Sequence, residues 1–440
     1  KYGEEAYFQG LNVHTTIYSK QQIAAQKTLR NGLQAYDRRH GFRGAIAKID
    51  IGNISKNTPN PVELEEAYER LLRLYPHSHE QIPAIVLSSG TDQATLWNDE
   101  HKQITISLLD TKWAKKHKTA NLLGNTPKKL SEIINAGDIV YIKPKVNSAS
   151  EKEALVNPKE DAKWVLSQIP NVGGALISIE PSSGRILSLV GGYDFFLNKY
   201  NRATQSIRQP GSNIKPFIYS ASIDQGFTPS SLISGAPIVI TDPAHGTLWR
   251  PENYSGKFYG LTRMREALAK SMNLVSIRIL RAIGIPTARE YVARFGIDMS
   301  RFSSSLTMAL GSGGATPLEV LKAYGVLANG GYRVEPYFIE RISDRDGITL
   351  YQAPQAIKCD ECYEQFLPKP EPEASSFDDS EITTEDLNAN HNDIDNDREN
   401  NLVNTPANTY QAPRVMSHAN NFLTVSMMKD VVQRGTARRA

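Results

Sequence analysis

The sequence predicts an α+β fold in which a small β-rich domain precedes a larger mixed domain. Three observations carry this prediction: short strand-like runs dominate residues 42–172, a hairpin pattern opens at Gly173, and helical patterns prevail beyond Ser212. The 440 residues, 40% hydrophobic and 22% charged, suffice for about three domains with cores of their own. No apolar run approaches the roughly 20 residues that a bilayer span needs.

The first part of the chain reads as a strand over 11–17, a helix over 22–36 and then a β-rich region. That region contains short strand-like runs separated by polar turns, and one helical pattern over residues 61–75. The runs are AIAKIDI, AIVLSSG, ATLWN, QITISLL and DIVYIKP. Short strands around one embedded helix are typical of a small β-barrel of the OB type, so residues 42–172 are predicted to form such a domain.

The second part opens with two apolar runs joined by Glu-Pro-Ser-Ser-Gly at residues 180–184, a pattern that predicts a β-hairpin. Helical patterns follow, and strand pattern returns in YRVEPYFIERISD. The predicted helices cover residues 216–224, 264–284, 287–295, 317–328 and 420–433. Strands followed by helices favour an antiparallel sheet packed against helices, rather than alternating βα units.

An acidic segment interrupts this second part. Residues 371–401 contain eleven acidic residues and one basic residue, so their net charge is about −10. Because the whole chain carries +3, the remainder carries about +13. Residues 368–413 are rich in Pro, Asp, Asn and Ser and are predicted to be a largely disordered insertion. A charge of about +13 spread over some 400 residues is too dilute for a typical nucleic-acid binder.

The two cysteines, Cys359 and Cys362, form a lone C-x-x-C pair. Half a zinc site, a redox pair, a local disulfide or two idle thiols all fit this spacing. The downstream histidines, His391 and His418, lie at no finger-like spacing, so the last two interpretations are favoured over zinc.

Two S-x-x-K tetrads occur, one at Ser212 to Lys215 and one at Ser426 to Lys429. The second lies inside an apolar helical pattern, which favours an ordinary helical serine. The first follows Pro-Gly and precedes Pro216, which predicts a helix that begins at or near Ser212. Residues i and i+3 share a helix face, so Lys215 is expected to reach the Ser212 hydroxyl and to activate it as a nucleophile.

Ser271-Met272-Asn273 follows Lys215 by 56 residues, and with S-x-x-K it matches two elements of the serine acyltransferases that react with penicillin. The runs NRATQSIRQPGSNIKPFIYSASIDQGFTP and WRPENYSGKFYGLTRMREALAKSMNLVSIRIL resemble the transpeptidase domain of class A bifunctional penicillin-binding proteins. So do GALISIEPSSGRILSLVGGYDF, ALGSGGATPLEVLKAYGVLANGGYRVEPYFI and MKDVVQRGTARRA. The resemblance implies a serine DD-peptidase/β-lactamase-like transpeptidase fold over 173–440, an OB-like domain over 42–172, and a linker with the start of the transpeptidase-associated segment over 1–41.

The resemblance also implies a mechanism without a cofactor or metal. Ser212 attacks a D-Ala-D-Ala stem peptide, Lys215 is the general base, Ser271 relays the proton to the leaving D-Ala, and Asn273 holds the substrate amide and Lys215. β-Lactams acylate Ser212. The implied location is the periplasmic face of the bacterial inner membrane, held by an N-terminal anchor that these residues do not include, and the implied partners are peptidoglycan and regulators that bind the OB-like domain.

Two family elements have no counterpart in these residues. The glycosyltransferase domain is expected before Lys1, and the third motif, K-T-G, is expected beyond Ala440, since no Lys-Thr-Gly occurs in the chain. Three alternatives therefore stay open: a carboxypeptidase or β-lactamase of the same chemistry, a non-catalytic wall-binding or β-lactam-sensing module, and an OB-type nucleic-acid binder. The aromatic residues Trp249, Tyr254, Phe258 and Tyr259 are expected either to line a peptide groove or to pack beside a loop.

Overall fold

The computed structural model describes residues 3–58, 60–100, 102–145, 163–241, 248–360, 362 and 408–439. They divide into two compact units. The β-rich unit comprises Ser19–Leu176 and Leu189–Gln205, and the helical unit comprises Lys1–Tyr18, Ile177–Ser188 and Ser206–Ala440. The α+β class is confirmed, whereas the boundaries drawn at residues 42 and 173 stay predictions.

The helices and strands are numbered here in chain order. The α-helices are α1 (Ser19–Arg39), α2 (Ile51–Asn57), α3 (Pro61–Leu72), α4 (Leu108–Thr111), α5 (Arg202–Gln205), α6 (Lys215–Asp224), α7 (Met264–Ala269), α8 (Asn273–Ile283), α9 (Ile285–Ala293), α10 (Pro317–Ala328) and α11 (His418–Gln433). Short 3-10 helices lie at Gly3–Tyr7, Leu130–Glu132, Gly211–Ile214, Met299–Arg301 and Leu306–Leu310. None of the described helices is long and apolar enough to cross a membrane.

The strands are β1 (Asn12–Thr15), β2 (Ala47–Lys48), β3 (Ile82–Ser89), β4 (Gln93–Asn98), β5 (Lys102–Ser107), β6 (His117–Thr119), β7 (Leu122–Leu123), β8 (Asp138–Pro144), β9 (Trp164–Ser167), β10 (Leu176–Ile179), β11 (Ile186–Val190), β12 (Leu232–Ser234), β13 (Ile240–Thr241), β14 (Leu248–Trp249), β15 (Leu261–Arg263), β16 (Ile339–Ser343), β17 (Thr349–Gln352), β18 (Gln355–Cys359) and β19 (Thr409–Pro413).

The β-rich unit is built on an antiparallel sheet of order β2-β8-β3-β4-β5, with β9 also paired to β8. The apolar run in β3 is buried on both faces: Ala84 and Val86 belong to one core cluster, and Ile85 belongs to another with Tyr68 and Leu72 of α3. A continuous apolar run is what a strand covered on both sides requires. The short strands of this sheet, with α3 packed against them, have the predicted arrangement of short strands around an embedded helix.

The helical unit contains an antiparallel sheet of order β1-β16-β17. The hairpin strand β11 joins it through single backbone hydrogen bonds, among them Ile186 N–H to the Tyr337 carbonyl at 2.8 Å. The core of this unit is formed by the buried faces of α6, α8, α9, α10 and α11, and includes Phe217, Ile279 and Met427. Helix α6 is buried over the eight residues from Lys215 to Ser222, so it lies in the centre of this helical layer.

The structure corrects several predictions about these elements. The run AIAKIDI forms strand only at Ala47–Lys48, and the last two residues of QITISLL lie in α4. The helix expected over 264–284 is broken into α7 and α8. YRVEPYFIERISD forms strand only at Ile339–Ser343, and before that strand it makes isolated bridges, from Tyr332 to Arg414 and from Tyr337 to Arg185. The helix expected over 61–75 ends at Leu72. Of the insertion predicted over 368–413, residues 409–413 instead form strand β19, paired in parallel with β18, and Asn408 lies in the turn before it; residues 368–407 lie outside the described residues.

Candidate active site

The first S-x-x-K tetrad opens the central helix of the helical unit. Gly211–Ile214 forms a 3-10 turn that continues directly into α6 at Lys215, and Pro216 occupies the first turn, where its missing N–H costs nothing. The predicted helix start near Ser212 is confirmed, with the refinement that the first turn is 3-10. Ser212 is exposed at this end, whereas Lys215 faces the core and is 1% exposed.

Glycines let the backbone pack closely at this turn. Gly211 has φ +57°, and Gly311, with φ +76°, lies so near the Gly211 carbonyl that a Cβ at residue 311 would collide with it. Tyr324 adds a side-chain support from α10, since its hydroxyl donates to the Asn213 carbonyl at 3.1 Å. Burial raises the pKa of Tyr324 to about 12, so it remains a neutral donor.

Lys215 connects all of the predicted site residues. Its Nζ donates to the Ser271 carbonyl at 2.8 Å, to Ser271 Oγ at 3.0 Å and to Asn273 Oδ1 at 2.8 Å. Ser271 Oγ in turn donates to Ser212 Oγ at 3.1 Å. The four residues therefore form one chain of hydrogen bonds from the buried amine to the exposed serine hydroxyl.

The contact expected between Lys215 and Ser212 is made indirectly. The hydrogen bond that Ser212 Oγ accepts comes from Ser271, and the three donors of the Lys215 ammonium are all directed at Ser271 and Asn273. The i,i+3 spacing predicts contacts within one helix, whereas Ser271 comes from 56 residues further along the chain.

Burial changes the chemistry of Lys215. Desolvation lowers the pKa of its ammonium to about 8, because a buried charge loses its hydration. The partners that the described residues give this ammonium are uncharged oxygens, of the Ser271 carbonyl, the Ser271 hydroxyl and the Asn273 amide. At pH 7 a group with that pKa is neutral in about a tenth of molecules, against well under one in a thousand at the ordinary value near 10.4. The amine is thus available as a base near neutral pH.

Ser271 and Asn273 lie at the break between α7 and α8. Ser271 has φ +51°, the left-handed conformation that commonly ends a helix, and its N–H and that of Met272 donate back to the carbonyls of Leu268 and Ala267 at 2.9 Å each. This position usually holds glycine, so a serine there carries backbone strain. The break turns the Ser271 carbonyl and hydroxyl towards Lys215, which an uninterrupted helix would not do.

Two further residues were not singled out from the sequence. Asn253 Oδ1 accepts from the N–H groups of Asn273 and Leu274 at 2.8 and 3.3 Å, and the Glu252 carbonyl accepts from Asn273 Nδ2 at 2.9 Å. Both lie in WRPENY, a run in which a role is predicted for the aromatic residues alone. Of these aromatics, Trp249 and Tyr259 pack against the core, whereas Tyr254 and Phe258 are exposed.

The remaining sequence candidates lie elsewhere. Cys359 and Cys362 are joined by a disulfide, which is one of the two favoured interpretations. Within the described part of the chain, one group of metal-ligating side chains lies together, formed by His77, Asp99 and Glu100 of the β-rich unit; His77 Nδ1 is 3.5 Å from Glu100 Oε1. Both of these side chains are about half exposed, as in an ordinary surface ion pair.

Comparison with known proteins identifies the class. Residues 174–440 match the penicillin-binding protein transpeptidase domain, and residues 42–172 match the penicillin-binding protein OB-like domain. The chain therefore belongs to the penicillin-binding protein transpeptidase family, as the sequence motifs predicted.

Individual members of this family are similar to the chain over most of its length. The chain is 36% identical over its whole length to penicillin-binding protein 1A of Pseudomonas aeruginosa, of which it covers 50%, and 37% identical over 86% of its length to that of Vibrio cholerae, of which it covers 44%. Its fold is similar to the crystal structure of penicillin-binding protein 1A from Haemophilus influenzae, with a TM-score of 0.74, 31% identity, and coverage of 99% of this chain and 57% of that one. The chain spans about half the length of the curated relatives it matches.

Proposed function

We propose that this chain is the cross-linking part of a peptidoglycan synthase, a serine DD-transpeptidase acting on stem peptides that end in D-Ala-D-Ala. The observation that carries the proposal is the continuous hydrogen-bonded path from Lys215 Nζ through Ser271 Oγ to Ser212 Oγ in a member of this family. An exposed hydroxyl connected to a buried, easily deprotonated amine is the arrangement that nucleophilic acyl transfer requires.

In the acylation step, Ser212 Oγ attacks the carbonyl carbon of the penultimate D-Ala. When Lys215 is neutral, the two hydrogen bonds of the path reverse, so that Ser212 donates to Ser271 and Ser271 donates to the amine. The Ser212 proton then passes to Ser271 Oγ as the Ser271 proton passes to Lys215, and the amine ends as an ammonium held by Ser271 and Asn273. A new ester C–O bond forms and the peptide C–N bond breaks. The path then runs in reverse, and Ser271 delivers a proton to the departing nitrogen of the terminal D-Ala.

The tetrahedral intermediate needs donors for its oxyanion. The N–H of Ser212, at the start of a helix, is the natural first donor, and such a donor is worth about 2.7 to 4 kcal/mol of barrier. The acyl-enzyme is resolved when an amine of a neighbouring stem peptide attacks the ester carbonyl, loses its proton to the same path and releases Ser212. A β-lactam follows the first half of this course and leaves a slowly resolved ester on Ser212.

Mass spectrometry of the full-length protein tests this function. After incubation with benzylpenicillin we expect a gain of one antibiotic mass, with peptide mapping placing it on Ser212. No gain, or an adduct on another residue, contradicts the proposal. Following the adduct over time separates the alternatives: a long-lived adduct indicates a transpeptidase, whereas rapid release in water indicates a hydrolase of the β-lactamase or carboxypeptidase type.

The proposal includes a location on the periplasmic face of the bacterial inner membrane and contact between the OB-like domain and regulators of wall synthesis. The disulfide between Cys359 and Cys362 supports the location, because such bonds persist in oxidising compartments. Thiol labelling in cells checks it: both cysteines should resist alkylation until a reductant is added, and labelling without reductant would contradict the assignment.

A further inference from the structure

The segment between β14 and β15 contains a buried amide, that of Asn253, beside the break between α7 and α8. Asn253 is 7% exposed, although its neighbour Tyr254 is fully exposed. A buried amide must find partners for both its oxygen and its nitrogen, since leaving either unpaired costs about 1 to 3 kcal/mol. The contacts of Asn253 therefore indicate what the segment is built to hold.

Helix α8 begins without a cap of its own. The residue at its N-cap position is Met272, whose side chain makes no capping hydrogen bond. The first N–H groups of a helix have no partner within the helix, and Ser, Thr, Asp or Asn normally supplies one from the N-cap position. Here the acceptor comes from 20 residues upstream: Asn253 Oδ1 receives the N–H groups of Asn273 at 2.8 Å and Leu274 at 3.3 Å.

The same segment also holds the Asn273 side chain. Asn273 Nδ2 donates to the Glu252 carbonyl at 2.9 Å, which directs Oδ1 towards Lys215 Nζ at 2.8 Å. An asparagine amide can be turned end for end, and a backbone acceptor on one side decides which end faces the lysine. Residues 252 and 253 thus fix both the backbone and the amide of Asn273.

The segment is itself anchored. Asn253 Nδ2 donates to the Lys257 carbonyl at 2.8 Å, and the Gly256 N–H donates to the Asn253 carbonyl at 2.9 Å. These two bonds close a tight loop around the Asn253 side chain. The amide therefore joins this loop to the start of α8.

We infer that Asn253 is a positioning residue of the acylation reaction, which acts by capping α8 from a distant segment and so holds Ser271 and Asn273 against Lys215. The inference rests on the proposed function of Ser212, but its structural basis is independent of it. Ser271 lies in a three-residue break, Lys270 to Met272, and Asn273 begins α8, so the geometry of the motif depends on how the two helix ends are fixed.

The test compares Asn253→Ala and Asn253→Asp in the full-length protein. The alanine variant removes the acceptor, and we expect its second-order rate of acylation by a fluorescent penicillin to fall about tenfold or more, as misplacement by less than an ångström suffices for such a loss. The aspartate variant keeps the Oδ1 acceptor for the start of α8 but places a carboxylate oxygen opposite the Lys257 carbonyl, so it should recover part of the rate that the alanine variant loses. Amide hydrogen exchange at Asn273 and Leu274 should be faster in the alanine variant than in the parent and should be slower in the aspartate variant than in the alanine variant.

Ser417→Ala is the matched control. Ser417 Oγ caps α11 by accepting from the Asn420 N–H at 3.2 Å, so its loss should lower the melting temperature about as much as the loss of Asn253. Acylation by this variant should stay within about twofold of the parent, since an ordinary helix cap does not position the reacting groups. Equal rate losses in both alanine variants would overturn the inference, because they would show a general effect on stability.

The two proposals fail separately. If the parent forms no penicillin adduct, the proposed function is wrong, while hydrogen exchange at Asn273 and Leu274 still decides whether Asn253 caps α8. Unchanged exchange in Asn253→Ala overturns the inference whatever the enzyme does.

Discussion

The two S-x-x-K tetrads give one sequence pattern in two environments. Lys215 is buried at the beginning of α6 and donates to Ser271 and Asn273, whereas Lys429 is exposed on α11. Ser212 lies in the turn before its helix, with its hydroxyl at the surface. Ser426 lies in the middle of its helix, and its Oγ accepts from Arg265 Nη2 at 3.0 Å.

The difference indicates what a tetrad needs in order to act as we propose for Ser212 and Lys215. A serine becomes a nucleophile when a neighbouring base is both close and partly neutral, and burial is what makes a lysine partly neutral. The spacing of four residues occurs in both places, but burial of the lysine and a third residue that bridges to the serine occur in one. The experiments below test this contrast, from the largest expected effect to the smallest.

The serine exchange should give the largest contrast. Ser212→Ala removes the attacking oxygen, so we expect penicillin acylation to disappear entirely, while Ser426→Ala, which loses an ordinary hydrogen bond to Arg265, should acylate at the parent's rate. Intact-mass measurement of both variants after equal exposure checks this. An adduct that survives Ser212→Ala would remove the distinction between the two tetrads.

The lysine exchange should have the next largest effect. Lys215→Met keeps an apolar stem in the buried site but removes the base, and we expect acylation to slow by about 10²- to 10⁴-fold. Lys429→Met should change the rate by less than about twofold, because the charge of an exposed amine is screened by water. Stopped-flow acylation rates measure both, and circular dichroism confirms that Lys215→Met remains folded. Similar rates in the two variants would contradict the role of Lys215.

The pH dependence of the acylation rate should follow the titration of Lys215 and should not depend on Lys429. Lys215 acts as a base when neutral, and with its pKa lowered to about 8 its neutral fraction rises as the pH rises. From pH 7 to pH 9 that fraction increases about tenfold, so the acylation rate should rise by about that factor and then level off. Lys429→Met should show the same profile. A rate that is flat or falling over this range would exclude neutral Lys215 as the base.

The sequence predicted these motif residues but not the way in which they meet. S-x-x-K and S-x-N are local patterns that the sequence displays directly, and the helix start before Pro216 follows from local rules. The break between α7 and α8 is not visible, because the apolar periodicity of residues 264–284 continues through it and Ser271 stands where a glycine would have marked the end. The cap supplied by Asn253 spans 20 residues, which no local pattern reports.

The same limit explains the acidic region. Polar composition predicted disorder as far as Pro413, but residues 409–413 pair with β18. An edge strand of this kind is stabilised by backbone hydrogen bonds to a partner some fifty residues away, and composition says nothing about such a partner. Ala412 is buried completely, so this end of the segment belongs to the folded unit.

The smallest expected effect concerns backbone conformation at Ser271 and Ser426, neither of which is the proposed nucleophile. Ser271 has φ +51°, whereas Ser426 is inside α11, so glycine should have opposite effects at the two sites. With the hydroxyl removed in every case, Ser271→Gly should be more stable than Ser271→Ala by about 1 kcal/mol, because alanine keeps the strain of the left-handed conformation. Ser426→Gly should be less stable than Ser426→Ala by about 1 kcal/mol, since glycine weakens a helix interior. Urea unfolding of the four variants measures both differences, and equal signs at the two positions would mean that residue 271 is not held in the left-handed conformation in solution.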